Sequence, residues 1–212
     1  MALTKLIWST PDGDNLIAYM ARVSNPEGQD STATNEKLIS YLVKNKHWSP
    51  LEMVNACFEI NTTRDIGRQI LRHRSFVFQE FSGRYQSYDK LDEAPARECR
   101  MQDSKNRQNS LETATSDLKL EWDKVQELVR ASALAGYEWA LSKGVAKEQA
   151  RALLPEGLTS SRLYMQGSLR SWLHYTQLRC DAATQKEHRL IAKSIQDQLY
   201  TAFPLTMNAV NK

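Results

Sequence analysis

Val54, Ala56, Phe58 and Ile60 are apolar, and the residues between them, Asn55, Cys57 and Glu59, face the other way. A strict period of two makes this run a half-buried strand and commits the chain to a sheet with one packed face. The rest of the chain is mostly helical in pattern. Leu118, Trp122, Val125, Val129, Ala133, Gly136 and Ala140 recur at three- or four-residue steps. That spacing makes one amphipathic stripe, capped at Ser116 or Asp117 and ending at Gly144. A stripe of this kind faces a core or a subunit interface.

Shorter helices are expected over 11–23, 32–46, 64–74, 147–154, 168–180 and 184–203, with Pro155 stopping the fourth of these. Strands are expected over 3–8 and 163–165, and Asn25-Pro26-Glu27-Gly28 reads as a turn. Ser49 is a candidate N-cap with Pro50 at the first helical position. Residues 86–117 break the pattern. They are polar, with Leu91, Met101 and Leu111 their only large aliphatics, and read as a loop or mobile excursion.

Length and composition narrow the function. A chain of 212 residues suits one domain with a sizeable core. The net charge is only +3, with acids spread among the bases, so no dedicated nucleic-acid surface is expected. Cys57, Cys99 and Cys180 are far apart, with neither Cys-x-x-Cys nor metal-ligand spacing. No signal peptide is visible, so a reduced, cytoplasmic protein is expected. No apolar run approaches the roughly 20 residues of a membrane span.

The chemistry concentrates in Arg72-His73-Arg74-Ser75-Phe76-Val77-Phe78-Gln79-Glu80-Phe81-Ser82-Gly83-Arg84-Tyr85. Guanidinium forks match phosphate oxygens, and Ser82-Gly83 adds a hydroxyl and a close backbone N–H. The segment reads as a phosphate-binding site rather than a core strand. Its Arg-His-Arg, seven residues, Ser spacing resembles the signature of the flavin-dependent thymidylate synthases. His47-Trp48-Ser49-Pro50-Leu51-Glu52, Arg151-Ala152-Leu153-Leu154-Pro155 and the stretch from Ser168 to Arg179 resemble further elements of that family. Gln79, Ser168 and His174 stand where many members carry Asn.

The resemblance implies a single α+β domain with a central, mostly antiparallel sheet wrapped by helices. It implies a homotetramer with active sites at subunit interfaces. The implied reaction is reductive methylation of dUMP to dTMP, with non-covalent FAD and with methylenetetrahydrofolate and NADPH as co-substrates. Gln69, Glu80, Ser82, Gly83, Arg84, Arg151 and Arg179 would contact dUMP. Arg179, on the helix side of Trp172 and Tyr175, would act catalytically on the pyrimidine, and Arg151 on phosphate. Ser24, His47, Ser49, Glu52, Arg72, His73, Arg74, Gln79, Glu80, Arg170 and His174 would lie around the flavin. Two other classes stay open on the residues alone: a nucleic-acid module using Arg68, Arg72, Arg74 and Arg84, and a non-catalytic flavin- or nucleotide-binding relative.

Overall fold

The computed structural model describes residues 3–210. Its centre is an antiparallel sheet of β1 (Thr4–Ser9), β2 (Asn55–Thr63), β3 (Val77–Glu80) and a late strand, β6 (Ser160–Ser168), in the order β1-β2-β6-β3. The alternating run is the core of β2, which pairs with β6 from Asn55↔Ser168 to Thr63↔Ser160. Its inward residues Ala56, Phe58 and Ile60 are fully buried. β6 runs well beyond the expected 163–165, because its partner fixes nine residues and not three.

Helices cover the sheet: α1 (Gly13–Ala21), α2 (Asn35–Lys44), α3 (Ser49–Glu52), α4 (Arg64–Ile70), α5 (Ser116–Ser142), α6 (Lys147–Ala150), α7 (Leu169–Arg179), α8 (Lys186–Ala202) and α9 (Pro204–Val210). The chain is thus the expected α+β fold around an antiparallel sheet. α7 drives Trp172 and Tyr175 fully into the core. Trp172 packs edge-on against Phe58 and Phe76, centroids 4.9 and 4.6 Å away, and its ring N–H donates to the Ala56 carbonyl at 3.1 Å. An aromatic side chain buried this way contributes on the order of 2–3 kcal/mol. Ser168 starts α7 by accepting the Ser171 N–H, a cap worth about 1 kcal/mol.

Several expectations shift. Thr115, not Ser116 or Asp117, caps α5, accepting the Leu118 N–H. Trp48 already has helical backbone angles, so Ser49 falls inside the first turn of α3 and makes no cap. α4 ends at Ile70, and the bonds from Arg72 N–H to Gln69 and from His73 N–H to Ile70 tighten the chain into a turn. The segment read as a phosphate-binding site contains β3, an edge strand that among the described residues pairs only with β6. Gly144 has φ +78° and closes α5 with bonds from Gly144 to Leu141 and from Val145 to Ala140, the pattern a left-handed glycine permits.

Residues 86–117 carry a 3-10 turn (Tyr88–Lys90) and a hairpin of β4 (Met101–Gln102) and β5 (Ser110–Leu111). Arg97 pairs with Asp65 at 2.6 Å and Glu187 at 3.3 Å, and Arg100 with Glu187 at 2.8 Å. Trp122 and Gln126 of α5 donate to the Arg97 carbonyl. The stripe on α5 is largely uncovered: Trp122, Val125 and Val129 are exposed, as are Leu120, Leu128 and Trp139 outside it. No described helix is long and apolar enough to cross a membrane.

Candidate active site

The fold gathers most of the candidate residues into three groups. The first lies where β3 runs out. Ser82, Arg84 and Tyr85 face Lys147 and Glu148 of α6 across an open groove of about 560 Å³. Arg84 pairs with Glu148 at 3.2 Å in an exposed setting, so this bridge is weak. Arg151 follows one turn after Lys147 and is part-buried. Gly83 is buried, and a Cβ there would come within 2.4 Å of the Tyr88 ring. That close approach explains the glycine without any ligand. Glu80 accepts a hydrogen bond from Ser161 at 2.7 Å.

The second group joins α4, the turn after it, α7 and α8. Arg179 donates from Nε to Nε2 of His73 at 3.0 Å. The His73 ring stands edge-on to Tyr175, 5.0 Å between centroids. Tyr175 hydrogen-bonds His188 Nε2 at 3.1 Å, and His188 Nδ1 lies 3.3 Å from Gln69 Oε1. Burial, with Arg179 adding repulsion, pushes His73 down to about 4 and His188 down to about 3. Both imidazoles are therefore neutral near pH 7. Burial also raises the Tyr175 hydroxyl, which stays protonated.

The third group surrounds α3 and the start of α7. Glu52 accepts a hydrogen bond from the Ser168 hydroxyl and faces Arg170 Nε at 3.6 Å. His47 is exposed just before α3, with Tyr41 edge-on at 5.7 Å. Ser49 opens α3, and His174, one turn beyond Arg170, is exposed. Gln79 is exposed on β3, opposite Tyr164. Ser24 stands apart beyond α1, exposed and bonded to none of the others among the described residues.

Partners sort the arginines. Arg68 binds Glu156 through both carboxylate oxygens, at 2.7 Å each. Among the described residues, the side chains of Arg72, Arg74 and Arg151 meet no carboxylate, and Arg179 meets only His73. A part-buried guanidinium against a neutral ring is an uncompensated cation, and an anionic or electron-rich ligand offsets it. The exposed, unpaired arginines and the Glu52–Ser168–Arg170 cluster are donors and acceptors of the kind a flavin dinucleotide needs. That donor set fits FAD. A cavity of about 370 Å³ between β2, β6, α8 and residues 91–97 is mostly apolar and holds none of the candidate residues.

His188 and Gln185 were not among the sequence candidates, although a polar signal was present. His188 lies on the same face of α8 as Ile191, Ile195 and Leu199, all buried, where an aliphatic residue is expected.

Within this antiparallel α+β fold, Arg179 without a carboxylate partner beside neutral His73 is a setting that suits an anionic ligand. The thymidylate synthase complementing protein family model matches residues 5–205. The chain is 48% identical over 201 residues to a flavin-dependent thymidylate synthase of Synechocystis sp., covering 95% of this chain and 90% of that one. It is 43% identical over 198 residues to a probable flavin-dependent thymidylate synthase of Paramecium bursaria Chlorella virus 1, covering 93% and 90%. A UMP/dUMP methylase from Streptomyces cacaoi, solved with 5-Br dUMP, shares the fold with TM-score 0.85 at 24% identity, over 98% of this chain and 93% of that one. The chain belongs to the flavin-dependent thymidylate synthase family.

Proposed function

We propose that this chain converts dUMP to dTMP by FAD-dependent reductive methylation, with methylenetetrahydrofolate as carbon donor and NADPH as reductant. The observation that carries the reading is Arg179, part-buried on α7 and hydrogen-bonded only to neutral His73 among the described residues. Its charge is free to stabilise a pyrimidine ring whose carbon is becoming nucleophilic. The named activity of the relatives at 43% and 48% identity supports the same reading.

The residue roles are those the family resemblance implies, and the three groups support them except for Ser24, Arg72 and Arg74, which fall in no group. Ser82, Gly83, Arg84 and Arg151 hold the nucleotide phosphate around the groove beside α6. Gln69, Glu80 and Arg179 orient the base. Ser24, His47, Ser49, Glu52, Arg72, His73, Arg74, Gln79, Glu80, Arg170 and His174 surround the flavin. FAD, when bound, carries the hydride chemistry. The chain's own residues place dUMP, neutralise its charge and polarise its ring. The site residues lie in separate groups on one chain, and α5 exposes Leu120, Val125, Leu128 and Trp139. Both features support a homotetramer with active sites between subunits. Three free cysteines suit a reducing cytoplasm.

The test is an absorbance spectrum of the purified protein, then dUMP titration and assay for dTMP. A flavin spectrum perturbed by dUMP, and dTMP formed only with the folate and a reductant, is the expected result. Arg179→Ala lowers dUMP-dependent oxidation of the reduced flavin even at saturating dUMP. A colourless protein that takes up no FAD overturns the proposal.

A further inference from the structure

A hydrogen-bond chain in the second group has only one consistent direction. Glu187 is anchored by Arg97 and Arg100, and its carboxylate only accepts. Gln185 Nε2 donates to it at 3.0 Å, so Gln185 turns its oxygen to Gln69. Gln69 Nε2 donates to that oxygen at 2.8 Å. The Gln69 oxygen therefore faces His188, whose Nδ1 must carry the proton. His188 Nε2 is then bare and accepts the Tyr175 hydroxyl. Each member donates toward the carboxylate, and no amide can be reversed without setting donor against donor or acceptor against acceptor.

His188 is fully buried, among Ile191, Ile195 and Leu199. An aliphatic residue would fill that place without desolvating an imidazole. The imidazole does what an aliphatic group cannot. It holds the Gln69 oxygen turned toward Nδ1, which leaves the amide's second N–H, beside one remaining lone pair on that oxygen, to meet a ligand. That N–H suits an acceptor oxygen, and a phosphate or a pyrimidine carbonyl supplies one.

We infer that His188 is a positioning residue for dUMP: by donating to the Gln69 oxygen it fixes the carboxamide with an N–H toward the nucleotide. This rests on the dUMP reading above. Neutral His188, with its ring held near pKa 3, keeps the same role across the physiological range.

The test compares two variants of the FAD-loaded protein. His188→Asn places an amide N–H near the Nδ1 position. His188→Gln places its amide near Nε2 and leaves Gln69 without its donor. His188→Gln should raise the dUMP Kd about tenfold, and His188→Asn should stay within about threefold of wild type. The effect should fall on KM rather than kcat. In a Gln69→Ala background, His188→Gln should add nothing. Equal Kd for the Asn and Gln variants, or a full effect persisting without Gln69, overturns the inference. Nitrogen NMR of the wild-type protein reads it without substitution: His188 should carry its proton on Nδ1, and the Nε2–H tautomer overturns it. A wild-type protein that binds no dUMP removes the parent reading and this one together. Binding that is unchanged in both variants removes only this one.

Discussion

Two neutral histidines, His188 buried and His73 part-buried, should make the fold acid-sensitive over a window that opens above the range of ordinary carboxylates. In the folded chain His73 and His188 are pushed down to about 4 and about 3, from an ordinary value near 6.5. Below pH 6.5 the unfolded chain takes up both protons and the folded chain takes up neither. Stability present above pH 6.5 is therefore lost as the pH falls toward 4. At pH 5 each histidine favours the unfolded state by about 2 kcal/mol. His73 is part-buried and better screened, so the pair together removes about 3–4 kcal/mol. That is a large share of the roughly 5–15 kcal/mol that holds a domain together. Glu59, Glu98 and Glu156, held below the usual range mainly by hydrogen bonds from Tyr164, Lys186 and Arg68 respectively, steepen the loss only below about pH 4.5. Urea unfolding between pH 8 and 5, at fixed FAD, followed by tryptophan fluorescence with constant slope, measures the effect. His188→Asn should cut the loss between pH 7 and 5 to about half. A flat stability over that interval, or an unchanged pH dependence in His188→Asn, refutes the argument.

Ser82→Ala should raise the dUMP concentration needed and leave turnover measurable in a saturating steady-state assay, because no base is bonded to that hydroxyl among the described residues. Burial raises the Cys57 and Cys180 thiols, which disfavours the reactive thiolate. A Cys57→Ala, Cys99→Ser, Cys180→Ser variant should accordingly keep substantial dTMP formation. If the exposed apolar side of α5 forms the subunit contact of the proposed tetramer, Leu128→Glu should give smaller species than wild type in light scattering, since a charge there would not be compensated.

Local pattern made some elements legible and pairing hid others. β2 and α5 were visible because each carries its own period. β3 was not, because four residues on a sheet edge, alternating exposed and half-buried, look like any polar–aromatic loop. α9 begins at Pro204, immediately after Phe203 closes α8, and the pattern was read only to Phe203. The role of Arg97 depends on Asp65 and Glu187, which lie 32 and 90 positions away. The Gln69–His188 contact spans 119 positions, and no local spacing encodes it. The arginine motifs were plain from their spacing. Their division into paired and unpaired members appeared only with the fold.

That division separates arginines that hold the chain together from arginines free for a ligand, and one comparison tests it. Arg97 is 16% exposed, bonded to Thr63 and paired with Asp65 and Glu187. Truncating it leaves Asp65 without its cation, while Glu187 keeps Arg100. The cost should be about 2–3 kcal/mol, or a fall in Tm of roughly 5–10 °C for a chain of this size. Arg151 has no carboxylate partner among the described residues, and its removal breaks no ion pair. Arg151→Ala should leave Tm within about 2 °C while raising the dUMP Kd by about tenfold or more, since a charge-assisted phosphate contact is among the stronger hydrogen bonds. Differential scanning calorimetry and dUMP titration on the two variants give both quantities. An Arg97→Ala protein as stable as wild type, or an Arg151→Ala protein that loses stability but binds dUMP normally, breaks the division between structural and ligand-binding arginines.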